Sequence, residues 1–305
     1  MKTFFTLILA SVIYTAGQSQ STDLTLRLEK GKEYKQISNA KSTIIQEVNG
    51  QKMNMVMTID GTMTFLVRNI TKNSYFMDAK FEKLSMTMEL PQASMEFSSE
   101  KSDAGDVFSS ILGAMKDKTF EVIMSRTGKV VEVNHVESLW STAIDKFEQL
   151  PVAQKEQIKA QIMKAYGADA LKGNIEMVTA IYPDKPVKKG EKWTVNTKLE
   201  SGMSANMSTD YEFADLTSEY ALIKGNSTIK TADKDAYIES NGMPMKYDLT
   251  GSMISEIKVD KKAGWIVEAK INQEFKGDAY IKENPQIPNG MKIPLSVKND
   301  MTITD

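Results

Sequence analysis

Apolar and polar side chains alternate over much of this chain. Leu24, Leu26 and Leu28 are set against Thr25, Arg27 and Glu29. Met53, Met55, Met57 and Ile59, then Met63, Phe65 and Val67, repeat the pattern on either side of Asp60-Gly61. A period of two puts every second side chain on one face, as in a half-buried strand. An Asp-Gly pair between two such runs is a hairpin signal, so a turn is expected at 60–61. Further strands are expected over Tyr75 to Leu90, with Met86 and Met88 in phase, and over Phe120 to Met124, which turns at Thr127-Gly128 into Val130 to Val133.

Helical spacing is confined to the middle. Val107, Phe108, Ile111, Leu112 and Met115 fall on one helix face, as do Leu139, Trp140, Ala143, Ile144 and Phe147. A third helix is expected to start at Pro151, carry Ile158, Ile162 and Tyr166 inward and stop at Gly167. Strand patterns return at Trp193 to Leu199, Met203 to Phe213, Tyr220 to Ile229, Tyr247 to Val259 and Trp265 to Phe275. After Pro285, Pro288 and Pro294 comes a final strand near Leu295 to Ile303. The expected fold class is α+β, mainly antiparallel β. It is read as a signal peptide at 1–17, a β-rich part at 18–135, a helical linker segment at 136–182 and a second β-rich part at 183–305.

The two β-rich parts echo each other. Lys30-Gly31-Lys32-Glu33-Tyr34 opens the first and Lys189-Gly190-Glu191-Lys192-Trp193 the second, and each later closes on a glycine hairpin near Gly128 and Gly264. If this is a duplication, it predicts two related sheets joined through the helices. With its signal, Gly-x-x-aromatic openings, β meander and central helices, the chain resembles an uncharacterised domain-of-unknown-function family of exported Bacteroidetes-type proteins. That resemblance implies the architecture and brings no activity or site residues with it.

Export is read from the N-terminus, where Lys2 precedes an apolar run from Phe4 to Ile13 and the small residues Thr15 and Gly17 stand before Gln18. A run of about ten residues is half of what a membrane span needs, so it reads as a cleaved signal that sends the protein to the periplasm or outside the cell. No later segment is apolar enough over that length to span. The chain has no cysteine, which excludes disulfides, thiolate metal sites, Cys nucleophiles and N-terminal lipidation at a cysteine. Its 38 basic and 40 acidic residues are intermixed, so the clustered basic footprint of a nucleic-acid binder is missing.

Candidate chemistry is sparse. The single histidine, His135, has no Gly-x-Ser-x-Gly elbow to serve and reads as a surface or capping residue. Paired carboxylates could act as acid and base, but 40 acidic residues give no means of choosing two. No cofactor and no metal site is expected. The unusual feature is methionine, at 20 residues. Thioethers are soft ligands, yet soft metal sites usually add a Cys or His. Flexible, polarizable methionine also suits a surface that adapts to an apolar partner. Met53, Met55, Met57, Met63, Met86 and Met88 are therefore the candidate ligand-binding residues, for an apolar small molecule or lipid; Met95, Met203, Met207, Met243 and Met245 stand in similar strand patterns. Met53, Met55 and Met57 are expected to point to the interior and be buried.

The resulting expectation is a non-enzymatic exported envelope protein that binds an apolar ligand. The alternatives are a module that binds another envelope protein, and a hydrolase whose carboxylates the sequence does not identify. N-terminal sequencing of material exported by the native host should begin near Gln18; an intact Met1 would contradict the signal assignment.

Overall fold

The computed structural model describes residues 21–305 except 49, 102–105, 149, 201–202, 241–242 and 286. The signal expected at 1–17 and its cleavage point lie outside the described residues. Thirteen strands are described: β1 Glu33–Val48, β2 Gln51–Ile70, β3 Ser74–Leu90, β4 Ala93–Ser98, β5 Thr119–Ser125, β6 Val130–Asn134, β7 Lys192–Glu200, β8 Ser204–Leu216, β9 Tyr220–Thr231, β10 Ile238–Ser240, β11 Met243–Asp260, β12 Ile266–Ile281 and β13 Met291–Thr304. The helices are α1 Val107–Met115, α2 Val136–Asp145, α3 Val152–Tyr166 and α4 Ala168–Thr179. The strands form one antiparallel sheet in the order β6-β5-β3-β2-β1-β13-β12-β11-β9-β8-β7, with β4 beside β3 and β10 beside β11.

The fold is thus mainly antiparallel β, but its two halves do not make separate sheets. The last strand, β13, pairs with β12 on one side and with β1 on the other. Trp265, immediately before β12, reinforces the seam: its Nε1 donates to the Lys35 carbonyl at 2.8 Å, and its ring lies 5.3 Å from Tyr34 and 5.5 Å from Phe65.

Eleven strands about 4.8 Å apart would span roughly 50 Å if laid flat. Here one helix, α4, packs on both terminal strands of that series, β6 and β7, so the sheet must curl until its edges stand about a helix diameter apart. On one side Glu176 accepts the Val130 N–H of β6 at 2.8 Å, and Thr179 Oγ1 donates to the Gly128 carbonyl at 2.7 Å. On the other side Gly173 lies against β7: a Cβ there would come within 3.1 Å of the Lys198 carbonyl oxygen. Gly128 has φ +79°, and a Cβ on it would fall 1.7 Å from the Thr179 carbonyl oxygen, so only glycine fits.

The base of the curl is plugged by residues 21–28. Leu24, Leu26 and Leu28 are buried there, as the alternation predicts, but they form an extended strap rather than the expected strand. The strap's partners come one at a time from different elements. Leu26 N–H donates to the Arg126 carbonyl in the β5–β6 turn, Arg27 N–H donates to the Ala263 carbonyl in the β11–β12 turn, and Tyr75 Oη donates to the Leu26 carbonyl.

The turn expected at Asp60-Gly61 does not exist. Strand β2 runs straight through: positions 53 to 67 stay in phase, and Asp60 and Gly61 pair with Asn39 and Ser38 of β1 and with Ser85 and Leu84 of β3, which a reversal would break. Asp60 points outward and accepts from Asn39 Nδ2 at 2.6 Å. Instead Val48 pairs with Gln51, and Gly50 has φ +77°. In β3 a bulge at Glu82 shifts the inward positions from Tyr75, Met77, Ala79 and Phe81 to Leu84, Met86 and Met88, which keeps apolar residues facing in.

The two echoed openings share one arrangement. Gly31 N–H donates to the Val67 carbonyl and Val67 N–H to the Lys32 carbonyl; likewise Gly190 N–H donates to the Phe213 carbonyl and Phe213 N–H to the Glu191 carbonyl. Both glycines have positive φ, at +81° and +86°. The halves also share a strand order, β1-β2-β3-β5-β6 and β7-β8-β9-β11-β12. These matches are what an internal duplication would leave.

Burial raises the Glu176 carboxyl above its ordinary value of 4.5, opposed by the Val130 hydrogen bond and by Lys172 and Lys129. The folded state therefore holds this proton more tightly than the unfolded chain, and the resulting stability is lost as pH rises above about 4.5. Glu176→Gln, which keeps an acceptor for Val130, should be at least as stable as wild type at pH 7 and lack this decline in urea melts taken from pH 4 to 8. Glu176→Ala should cost about 1–3 kcal/mol by stranding the Val130 N–H.

Candidate functional site

Strand register determines what the concave inner face carries. One row across the sheet reads Val195, Thr209, Ser227, Met253, Gln273, Asn299, Ser42, Met57, Met88, Met95, each paired with the next. The neighbouring row toward the base reads Trp193, Tyr211, Gly225, Ser255, Ile271, Met301, Ala40, Ile59, Met86, Phe97. Toward the far end, Phe275, Val297, Ile44 and Met55 follow. In the paired segments of β1 to β9 and β11 to β13, the inward positions carry no Asp, Glu, Lys or Arg. The charges stand on the outer face, where Lys35–Glu82 at 2.9 Å, Lys224–Glu256 at 3.2 Å and Lys270–Glu268 at 3.2 Å form exposed ion pairs.

The register brings five of the candidate methionines to one inner surface, with Met53, Met55 and Met57 on β2 and Met86 and Met88 on β3; Met95 of β4 completes the row. Met63 lies deeper and packs against the main core. Met203 also borders that core, Met207 is buried within it, and Met243 and Met245 join a small second cluster around Ala279, Ile281 and Ile293.

The expected burial of Met53, Met55 and Met57 is not observed. They face inward, yet Met53 is 41% exposed, Met55 and Met57 are half-buried, and Met95 is 39% exposed. The reason is coverage. Strand β5 flanks β3 only at its base, between Ser74 and Lys80, and farther out β3 has only the six-residue β4 beside it. Over β13, β1, β2, β3 and β4 the inner face is thus half-open and mainly apolar, with Asn299, Ser38, Ser42 and Gln46 as its polar positions, and roughly 20 by 20 Å in footprint from strand spacing and rise. Two hollows, of about 280 Å³ beside the strap and about 540 Å³ beside Trp193, lie at the base and do not meet the methionines.

His135 is exposed, sits at φ +71° before α2 and makes no side-chain cap. Among the described residues no group of three or more His, Asp or Glu is arranged to hold a metal ion. No helix among the described residues is long and apolar enough to cross a membrane. The feature that sequence reading missed is the neutral polar set Thr209, Ser227, Gln273, Asn299 and Ser42, broken only by Met253, because its members come from five strands and only the register aligns them.

Fold and surface together define a β-rich protein whose single curled antiparallel sheet carries its charges outside and a charge-free, partly open face inside. The chain belongs to the family of unknown function DUF6263, whose model matches residues 72–266. None of the curated proteins matches the chain in sequence. Among solved structures, it is similar in fold to one described as "lipid-protein interactions in lipovitellin", at 10% identity and a TM-score of 0.50, covering 91% of this chain and 25% of that one. The chain therefore spans about a quarter of that lipovitellin's length. An outer membrane channel from Pseudomonas putida F1 also aligns, at 10% identity and a TM-score of 0.27, over 92% of this chain and 97% of the channel.

Oxidation footprinting should separate two methionine classes. Met53 and Met95 should react fastest and Met55, Met57 and Met88 next, while Met77, Met115, Met124 and Met253, each at most 1% exposed, stay protected. Equal protection of all would contradict a half-open face.

Proposed function

We propose that this chain is a non-enzymatic, exported binding protein that holds an apolar ligand of the lipid class on the methionine-lined half of its inner face. The observation that carries this reading is the combination of a charge-free inner face with a half-exposed run of methionines on it. A soluble chain leaves so contiguous an apolar surface open at a cost of about 25 cal/mol per Å² of exposed apolar area, which a bound apolar molecule would recover. Unbranched thioether side chains can reshape around ligands of different outline. The fold likeness to a lipovitellin described by its lipid interactions agrees with this class of ligand. The export element rests on the N-terminal sequence pattern alone.

A second reading, a protein-interaction module, has one observation in its favour: β4 is paired only with β3 and presents the exposed Met95. An added strand could extend the sheet there.

Titration with N-phenyl-1-naphthylamine, a neutral apolar fluorophore, tests the first reading. Wild type should show saturable fluorescence enhancement, and Met57→Lys/Met88→Lys should weaken it at least about tenfold, or ~1.4 kcal/mol. The melting temperature should move little, since both side chains are already half-exposed. No saturable binding, or equal binding by the variant, would overturn the proposal and leave the interaction module in its place.

A further inference from the structure

We infer that the ligand is a neutral amphiphile, a single-chain lipid whose uncharged head both donates and accepts hydrogen bonds, held with its head at Gln273, Asn299 and Ser42 and its chain over the methionines. The inference rests on the binding reading above and adds the class of head group.

Asn299 Nδ2 donates to Gln273 Oε1 at 2.7 Å across the β12–β13 pairing. That bond leaves Gln273 Nε2 and Asn299 Oδ1 buried without a protein partner, and Ser255 Oγ, one row deeper, is in the same position. Gln273 is 6% exposed and Ser255 1%. Exchanging the amide nitrogen and oxygen in both residues changes nothing essential, for one donor and one acceptor are still left over. Of the six described side-chain atoms buried without a partner, five belong to inner-face positions and only Thr64 Oγ1 to an outer one. A buried polar atom left unpaired costs on the order of 1–3 kcal/mol, so such a cluster on a wall without charges calls for a complementary group.

Position decides which group. Along the row the amides adjoin Ser42, and beyond Ser42 come Met57, Met88 and Met95. Asn299 and Ser42 are only half-buried, so the polar run opens on the side of the methionines. A head placed there has a continuous apolar track for its chain. Charge decides the rest. With no cation among the inward positions, a carboxylate or phosphate would be desolvated against neutral amides and apolar side chains, a much larger cost than for a hydroxyl, ester or amide.

The test is displacement of bound N-phenyl-1-naphthylamine by 1-oleoylglycerol and by oleate at pH 9, both below their aggregation thresholds. For wild type, 1-oleoylglycerol should displace at a concentration at least about tenfold lower. In Gln273→Leu/Asn299→Leu, which keeps the apolar face and removes the polar pair, that ratio should fall about tenfold while the fluorophore itself still binds. Gln273→Met, which keeps the side-chain length, should lower the ratio in the same direction and serves if the double variant does not fold. Asn299→Lys should shift the preference toward oleate. Preference of wild type for oleate, or an unchanged ratio in the folded variants, overturns this inference alone and points to water filling the polar run. Failure of wild type to bind the fluorophore defeats the binding reading, and the inference falls with it.

Discussion

Antiparallel pairing of the first strand with the last underlies the rest of the structure. Ten residue pairs, from Ile37 with Thr304 to Gln46 with Leu295, join β1 to β13. Without them the two meanders would present two edges, each with unsatisfied backbone groups. With them, a row that begins on β7 continues without a break to β4, so Gln273 and Asn299 of one half stand beside Ser42 and Met57 of the other. The seam closes almost the whole chain into one loop. Loop closure entropy grows only slowly with length, so the pairing is affordable in stability, but contacts this distant in sequence form slowly. Trp265, bonded to the Lys35 carbonyl and packed on Tyr34 and Phe65, secures the seam near the plugged base.

Much of the fold could be read from the sequence wherever one face of an element is buried and the other is wet. Strands β3, β5, β6, β7, β8, β9, β11, β12 and β13 and the first three helices follow from their periods. Strand β1 did not, because its inward positions include Gln36, Ser38, Ser42 and Gln46 and so show no apolar alternation. Helix α4 was missed for the opposite reason. It lies between two sheet edges, so Ala170, Leu171, Ile175, Glu176, Met177 and Val178 are all buried and no single face stands out. The Asp60-Gly61 turn was misread since local turn chemistry is a weak prior against a pattern that stays in phase, while the glycine with positive φ is Gly50, just before β2 begins.

The candidate site was legible in part. Period two correctly gave the direction in which Met53, Met55, Met57, Met86 and Met88 point. It could not give their exposure, since that depends on what lies above a strand and not on the strand. The polar run was invisible for a related reason. Gln273 and Asn299 are ordinary residues in sequence, and only the β12–β13 register makes them neighbours. The arrangement is also the reverse of a membrane-spanning barrel, whose outer wall is an apolar band; here the outer wall carries ion pairs such as Lys258–Glu268 at 2.5 Å and Lys292–Asp278 at 3.1 Å.

The central claim is that the inner face takes up an apolar molecule, and native mass spectrometry addresses it most directly. The protein would be incubated with a total lipid extract of its host, re-purified by size exclusion and sprayed under gentle desolvation. The account predicts a population of the chain carrying one or a few molecules of lipid mass, dominated by uncharged species and released on collisional activation. A spectrum showing only the bare chain, under conditions that preserve a known lipid complex run alongside, would contradict it.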